Sequence, residues 1–481
     1  MRILLASSEV HPYSKTGGLA DMVGALAKVL AKTGHEVQVV TPLYRGTTQR
    51  FPAIRKVDWR FDIPLANWRV QGGLWLDEPK PNLKVYFVEQ SRFFDRSGIY
   101  QENGSDYPDN GERFVFFSKC VVNLARYLPQ RAGVVHVHDW QAALAPALIQ
   151  HQAKAAGWGD PPRTCLTIHN LAYQGVFPAT AFAMTNLPGS YFTVETGEFY
   201  GKLNCLKAGI ALANVVTTVS PRYAREITTE EFGCGLDGLI RKRRSHALGI
   251  LNGVDYDEWK TIGNPHLRHE YSATSLAGKT ANKLELQREL GLPARSEIPL
   301  FGTVSRLADQ KGMDLLLTVL EKFLANDVQF VLLGSGAKNL ESEFQGLAQR
   351  FPTKVAVQIG YDQGLSHRIE AGCDFFVMPS RFEPCGLNQM YSLRYGAVPV
   401  VRATGGLDDT VVDISEDMHH ASGIKFIDAS AGSLAHALQK AMALYRIPAL
   451  MQTFRRNGMA EDFSWDATVR DYIQLYEGNS H

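Results

Sequence analysis

The chain has 481 residues, room for two or three cores at roughly 150 residues per domain. Its 50 Lys and Arg nearly cancel 49 Asp and Glu, for a formal net charge of +1. That balance argues against a nucleic-acid binder with a strongly basic face, though not against a small anion held by local charge.

The segment "RILLAS", 2–7, reads as a buried strand. Residues 18–33 then place Leu19, Met22, Val23, Leu26, Val29 and Leu30 at helical spacing, with Gly34 as a terminator. "HEVQVVTP", 35–42, is the next strand and completes one βαβ unit. Later strands are predicted at 133–138 ("GVVHVH"), 164–169 ("TCLTIH") and 215–220 ("VVTTVS"). They stop at His138-Asp139, His169-Asn170 and Ser220-Pro221. Residues 250–298 are polar and helix-prone, less core-like than either side, and read as a transition with a hinge near Asn252 to Trp259.

The rhythm restarts with "PLFGTVSRL" at 299–307, followed by a helix and the strand "VQFVLLGSG". Further strands are predicted at 355–361, 374–380 and 398–404. Short apolar strands alternating with helices indicate parallel sheets covered on both faces. Two such series imply two doubly wound α/β domains. Open parallel sheets bind ligands outside the carboxyl ends of their strands, and the unusual residues cluster there in both halves. A ligand held between two facing domains is expected.

No apolar run approaches the ~18 residues of a membrane helix. The apolar stretch Ile3 to Ala6 is too short for a secretory signal, which needs ~7–15 such residues. A cytoplasmic protein with no membrane partner is expected. The six cysteines form no C-x-x-C pair, so reduced and mostly buried thiols are expected rather than a zinc site or disulfide framework.

Lys15-Thr16-Gly17-Gly18 stands between a strand end and a helix start. Free amides and the helix dipole favour an anion there, and Lys15 adds a charge. An ordinary tight turn with a solvated lysine reads equally well. The G-x-G-x-x-G match at Gly233, Gly235 and Gly238 follows "REITTEEF" rather than a strand, so it lacks the dinucleotide context. Asp255 and Asp257 resemble a metal-binding D-x-D but read better as a turn with solvated carboxylates. His136 and His138 share one strand face, yet no third metal ligand is evident.

"SRLADQKG" places the cations Arg306 and Lys311 beside a helix start, which suits a diphosphate. "PSRFEPCGLNQMYSLRYG" puts Arg381, Glu383 and Cys385 at another strand end, where Glu383 can accept hydrogen bonds from ribose hydroxyls. "ATGGLDDTV" brings Gly405-Gly406 to a third, as exposed backbone donors.

Together "KTGGLADMVGAL", "HVHDWQAAL", "TIHNLAYQG", "VSRLADQKG", "PSRFEPCGLNQMY" and "TGGLDDTV" resemble the bacterial glycogen synthase and plant starch synthase family, over Met1 to about Trp465. The resemblance implies two Rossmann-like doubly wound domains facing across a cleft, the GT-B architecture. The expected bounds are 1–250 for the N-terminal domain and 258–460 for the donor-binding domain. A C-terminal helix in 461–481 is expected to return to the first. The implied enzyme is a retaining glucosyltransferase without metal or cofactor. It transfers glucose from ADP-glucose to the non-reducing 4-hydroxyl of glycogen or another α-1,4-glucan.

By the same resemblance, Lys15 and the Gly17 and Gly18 amides face the donor diphosphate, and Arg306 and Lys311 bind it too. Glu383 lies beside sugar and ribose, and the Cys385, Gly386 and Leu387 backbone holds glucose hydroxyls. Gly405 and Gly406 add amides on the phosphate side, and Tyr361 stacks on the base. Asp139, His169 and Asn170 line the glucose and acceptor side. Three positions depart from the pattern. Tyr391 stands where related glucosyltransferases carry a second glutamate, Asn388 where threonine is common and Ala27 where proline is common. Another sugar-nucleotide enzyme of the same architecture, a UDP-glucose-dependent glucosyltransferase or an epimerase, stays open as an alternative. So does a non-catalytic glucan or nucleotide sensor, which the presence of Lys15, Arg306, Lys311 and Glu383 disfavours.

Overall fold

The computed structural model describes residues 1–155, 157–243 and 247–478, so 479–481 of the expected C-terminal segment lie outside the described residues. The chain divides into two compact units. The first takes Met1–Val219, Ala224–Gly253 and the C-terminal segment from Trp465; the second takes Ser220–Tyr223 and Val254–Ser464.

The first unit is built on a nine-stranded sheet. Its parallel part runs Ala247–Gly249, Val215–Thr218, Arg163–Ile168, Val134–His138, Arg2–Ala6, Glu36–Pro42 and Leu83–Glu89, side by side. The sheet continues with two antiparallel strands, Trp68–Lys80 and Arg55–Leu65. Arg2–Ala6 is buried from Ile3 onward, as its unbroken apolar run requires of a strand covered on both faces. The helix Gly18–Lys32 lays Leu19, Met22, Val23, Leu26, Val29 and Leu30 into the core, and Gly34 follows it at a φ of +90°. The C-terminal helix Trp465–Glu477 buries Trp465, Val469, Tyr472 and Tyr476 in that same core, again at helical spacing.

The second unit carries a six-stranded sheet, all parallel. In chain order its strands run Leu300–Val304, Gln329–Gly334, Val355–Ile359, Phe375–Met378, Val398–Arg402 and Ile424–Phe426. In space the order is 3-2-1-4-5-6. This is the doubly wound order, with its reversal between Leu300–Val304 and Phe375–Met378. The parallel part of the first unit reverses in the same manner between Arg2–Ala6 and Val134–His138. At such a reversal the flanking connections leave in opposite directions and open a crevice at the carboxyl ends of the two strands.

Two parts of the chain differ from the sequence reading. Arg55–Leu65 and Trp68–Lys80 extend the first sheet as an antiparallel edge with one buried face; their many charged residues lie on the wet side. The supposed transition contains the helix Ala277–Glu289, which is packed into the second unit. It reads as surface because its buried face is polar: Lys279, Asn282, Lys283 and Gln287 are buried beside Leu286. Lys283 Nζ lies 2.7 Å from Asp374 Oδ2 and also donates to the carbonyl oxygens of Ser296 and Ile298.

Candidate active site

In the first unit the reversal brings together the residues after Ala6 and after His138. Asp139 follows its strand directly with a φ of +53°, an uncommon backbone state for a residue other than glycine. The turn aims its carboxylate at the neighbouring strand end, where Oδ1 accepts the His169 N–H at 2.7 Å. The Asn170 amide also donates to it. His138 Nδ1 lies 3.2 Å from His169 Nε2, and Asn170 Oδ1 accepts the Ala172 N–H at 3.0 Å. Asp139, His169 and Asn170 are thus one joined cluster.

Burial pushes the Asp139 carboxyl up to about 7 against the two amides that favour its charge, and Glu9 adds repulsion. Burial also lowers the His169 imidazole to about 3, so that ring is neutral at neutral pH. The raised Asp139 value has a sign that can be measured. Between about pH 4 and 7 the folded chain holds a proton that the unfolded chain has lost, so this group's contribution to stability falls as pH rises through that window. The melting temperature of Asp139→Asn relative to the parent chain is therefore expected to climb from pH 4 to pH 7; a flat difference would contradict a buried, proton-holding Asp139.

The approach to the helix Gly18–Lys32 differs from the expectation for Gly17. Glu9 is buried, and its carboxylate accepts the backbone N–H of Thr16 and, at 3.3 Å, that of Gly17. Thr16 Oγ1 and the Tyr100 hydroxyl each donate to it at 2.6 Å. A side-chain anion already sits where the amides were expected to meet a phosphate. Gly17 and Gly18 are exposed. Lys15 Nζ lies 2.8 Å from Asp21 Oδ2, one turn into the helix.

In the second unit the reversal lies between the ends of Leu300–Val304 and Phe375–Met378. Glu383 is buried there, with Oε2 2.5 Å from Lys311 Nζ and 3.0 Å from Ser380 Oγ. Lys311 closes the short turn Asp309–Lys311, and Gly312 follows at a φ of +64°; glycine is required there because a Cβ would strike the Pro379 carbonyl oxygen. Arg306 is exposed, with Nη2 3.3 Å from Gln310 Oε1. The neighbouring Arg381 is occupied by both carboxylate oxygens of Asp314 at 2.7 Å.

Cys385, Gly386 and Leu387 lead into the helix Asn388–Tyr395. Gln389 Nε2 donates to the Cys385 and Gly386 carbonyls at 3.0 and 3.1 Å, and Asn388 Nδ2 donates to Val304 O at 2.6 Å. Asn388 therefore ties the loop to the central strand. Gly405 and Gly406 are buried, which alters their expected part. The Gly406 N–H donates inward to the Glu383 and Pro384 carbonyls, at 3.2 Å each. Its glycine character is required by close packing on Cys385. Tyr361 is 77% exposed, its ring open to a planar partner. Tyr391 stacks on Trp259 with 3.6 Å between ring centroids, and Trp259 stacks on His367 at 4.0 Å.

Residues 2–242 match the model of the starch synthase catalytic domain, and residues 287–459 that of glycosyl transferases group 1. The chain is 44% identical over 479 residues to a glycogen synthase of Koribacter versatilis, covering 99% of this chain and 98% of that one. It is 46% identical over 480 residues to a glycogen synthase of Anaeromyxobacter dehalogenans, covering 99% of each. The chain belongs to the glycogen and starch synthase family.

Among solved structures, the catalytic domain of starch synthase IV from Arabidopsis thaliana, bound to ADP and acarbose, matches this glycogen synthase relative with a TM-score of 0.90 and 34% identity over 99% of both chains. A sucrose-phosphate synthase from Thermosynechococcus elongatus shares the fold, with a TM-score of 0.59 and 18% identity over 99% of this chain and 98% of that one. The family's two-domain GT-B fold and glucosyltransferase class thus hold for this chain. Among the described residues no helix is long and apolar enough to cross a membrane, and no group of three or more His, Cys, Asp or Glu stands in a metal-holding arrangement.

Sequence reasoning passed over Glu9, Tyr100 and Ser380 and weighed His138 only as a metal ligand; Glu9, His138 and Ser380 touch predicted site residues, and Tyr100 touches Glu9. Glu9 carried a usable signal, an acidic residue just past a buried strand. Tyr100 carried none, since only the fold brings its hydroxyl to a carboxylate 91 positions away.

Proposed function

We propose that this glycogen synthase family member transfers glucose from ADP-glucose to the non-reducing 4-hydroxyl of an α-1,4-glucan such as glycogen, with retention of configuration and without a metal. The observation that carries this reading is the buried Glu383 paired to Lys311 at the strand reversal of the second unit. The starch synthase IV neighbour, bound to ADP and acarbose, supports adenine as the base and a glucan-like acceptor.

In the reaction the bond from the anomeric carbon to the diphosphate oxygen breaks as the bond to the acceptor 4-oxygen forms. Negative charge gathers on the leaving diphosphate. Arg306, Lys311 and Lys15 stabilise that charge; a group of this kind is worth ~10²–10³ in rate where water is excluded, and less at the exposed Lys15. The acceptor attacks on the face the diphosphate leaves, and a phosphate oxygen takes its proton. Glu383 orients the donor sugar and ribose. The Cys385, Gly386 and Leu387 backbone and Gly405 hold the donor from the loop side, and Tyr361 stacks on the base. Asp139, His169 and Asn170 line the glucose and acceptor side.

The test is elongation of glycogen with ADP-, UDP- and GDP-glucose by the parent chain and by Lys15→Ala. ADP-glucose is expected to be the preferred donor. Lys15→Ala should leave the melting temperature nearly unchanged, because an exposed pair such as Lys15–Asp21 contributes little. It should lower kcat/KM for the donor about tenfold or more, the scale of a charge-assisted contact at ~1.5–3 kcal/mol. Normal donor kinetics in Lys15→Ala would remove its phosphate role. Elongation from UDP-glucose alone would overturn the choice of nucleotide.

A further inference from the structure

We propose that His138 is a positioning residue that holds His169 as the tautomer protonated on Nδ1, so that the His169 ring meets its ligand as a hydrogen-bond donor. The functional weight of this rests on the reading of His169 as a residue that lines the sugar; the tautomer itself does not.

Three histidine rings sit in a row: His136 within the strand Val134–His138, His138 at its end, and His169 just past the adjacent strand Arg163–Ile168. His136 is fully committed: Nδ1 lies 2.7 Å from the Tyr476 hydroxyl and Nε2 2.6 Å from Thr167 Oγ1. Thr167 Oγ1 is in turn 2.6 Å from Thr217 Oγ1. The His138 ring lies beside it, 4.2 Å between centroids, and is wholly buried. Among the described residues the His138 ring has one hydrogen-bond partner, His169 Nε2, 3.2 Å from its Nδ1. Its other nitrogen, Nε2, is buried and has no hydrogen-bond partner among the described residues.

A single proton must lie between His138 Nδ1 and His169 Nε2, because both rings are neutral: burial drives both imidazoles well below their usual value. Were His169 the donor, His138 would carry its proton on Nε2 and leave a buried N–H with nothing to accept it. Were His138 the donor, its Nε2 would hold only a bare lone pair. Orphaned buried N–H groups are the rarer defect in folded proteins, so the proton belongs to His138 Nδ1. His169 Nε2 is then the acceptor, and the remaining proton of His169 must sit on Nδ1. A neutral ring in that state donates to an oxygen, such as a sugar hydroxyl, and has no free lone pair with which to act as a base. Asp139 completes the arrangement by fixing the backbone of His169 and Asn170 through their amides.

The test is long-range ¹H–¹⁵N spectroscopy of the ¹⁵N-histidine-labelled chain near pH 7.5, with His169 assigned by its loss in His169→Gln. The expected spectrum shows a pyrrole-type Nδ1 and a pyridine-type Nε2 for His169. In His138→Leu the Nδ1–H form should lose its dominance, and kcat should fall by about as much in His138→Leu/His169→Gln as in His169→Gln alone. A parent chain with His169 protonated on Nε2, or a His138→Leu spectrum identical to the parent's, overturns the proposal. The parent spectrum decides the tautomer even if His138→Leu does not fold. Failure of the site reading shows separately, as unchanged kinetics in His169→Gln.

Discussion

Lys311→Ala is expected to lower kcat by ~10²–10³ and to lower the melting temperature as well. The two effects have one origin. Lys311 Nζ is 2.5 Å from Glu383 Oε2, with the lysine side chain 19% exposed and the glutamate side chain 7%. Removing the lysine leaves a buried carboxylate to which the Ser380 hydroxyl donates at 3.0 Å. Breaking a buried pair costs about 3–5 kcal/mol when both partners are dry, and less here because Lys311 keeps some water. Glu383→Gln keeps the shape and removes the charge, so it should spare more of the melting temperature while still costing most of the activity. Since the two groups act as a pair, the double variant should be far less impaired than the product of the single losses. Donor kinetics and thermal denaturation of the three variants form a complete cycle. Full additivity would mean that the two side chains serve separate tasks.

Gly406→Ala should abolish activity with a loss of stability beyond that of an ordinary surface change. A Cβ on Gly406 would run into the Cys385 carbonyl oxygen and lie 2.6 Å from Cys385 Cα, and no flexible side chain is there to give way. The backbone after Glu383 has to shift, and with it the Cys385, Gly386 and Leu387 loop. Gly405 is equally constrained, at a φ of +45° and against the Glu383 carbonyl. Circular dichroism melts and donor KM on Gly406→Ala check this. A variant with parental KM would show that the loop's position does not matter for the donor.

The strand and helix rhythm was legible because both sheets are parallel. Strands buried on both faces must be continuous apolar runs, as in "RILLA" and "QFVLLG". The chemistry-bearing residues were legible for a related reason: Asp139, His169, Lys311 and Glu383 stand just past such runs, where side chains are released from the core. Burial that does not look apolar was misread or went unseen. The helix Ala277–Glu289 turns lysines and glutamine inward, and the antiparallel strands Arg55–Leu65 and Trp68–Lys80 bury only one face.

The amino-acid order by itself thus determined the two doubly wound series, the strand ends that carry the candidate site, and the residue types waiting there. Tertiary structure alone decided which groups are already spent on one another. Glu9 holds the amides of Thr16 and Gly17, Gly406 donates inward, Lys311 meets Glu383 and His138 meets His169. Those partners lie up to 72 positions apart in the chain. A hydrogen bond or ion pair is made by proximity in space, and periodicity along the chain carries no information about which distant side chain will arrive there.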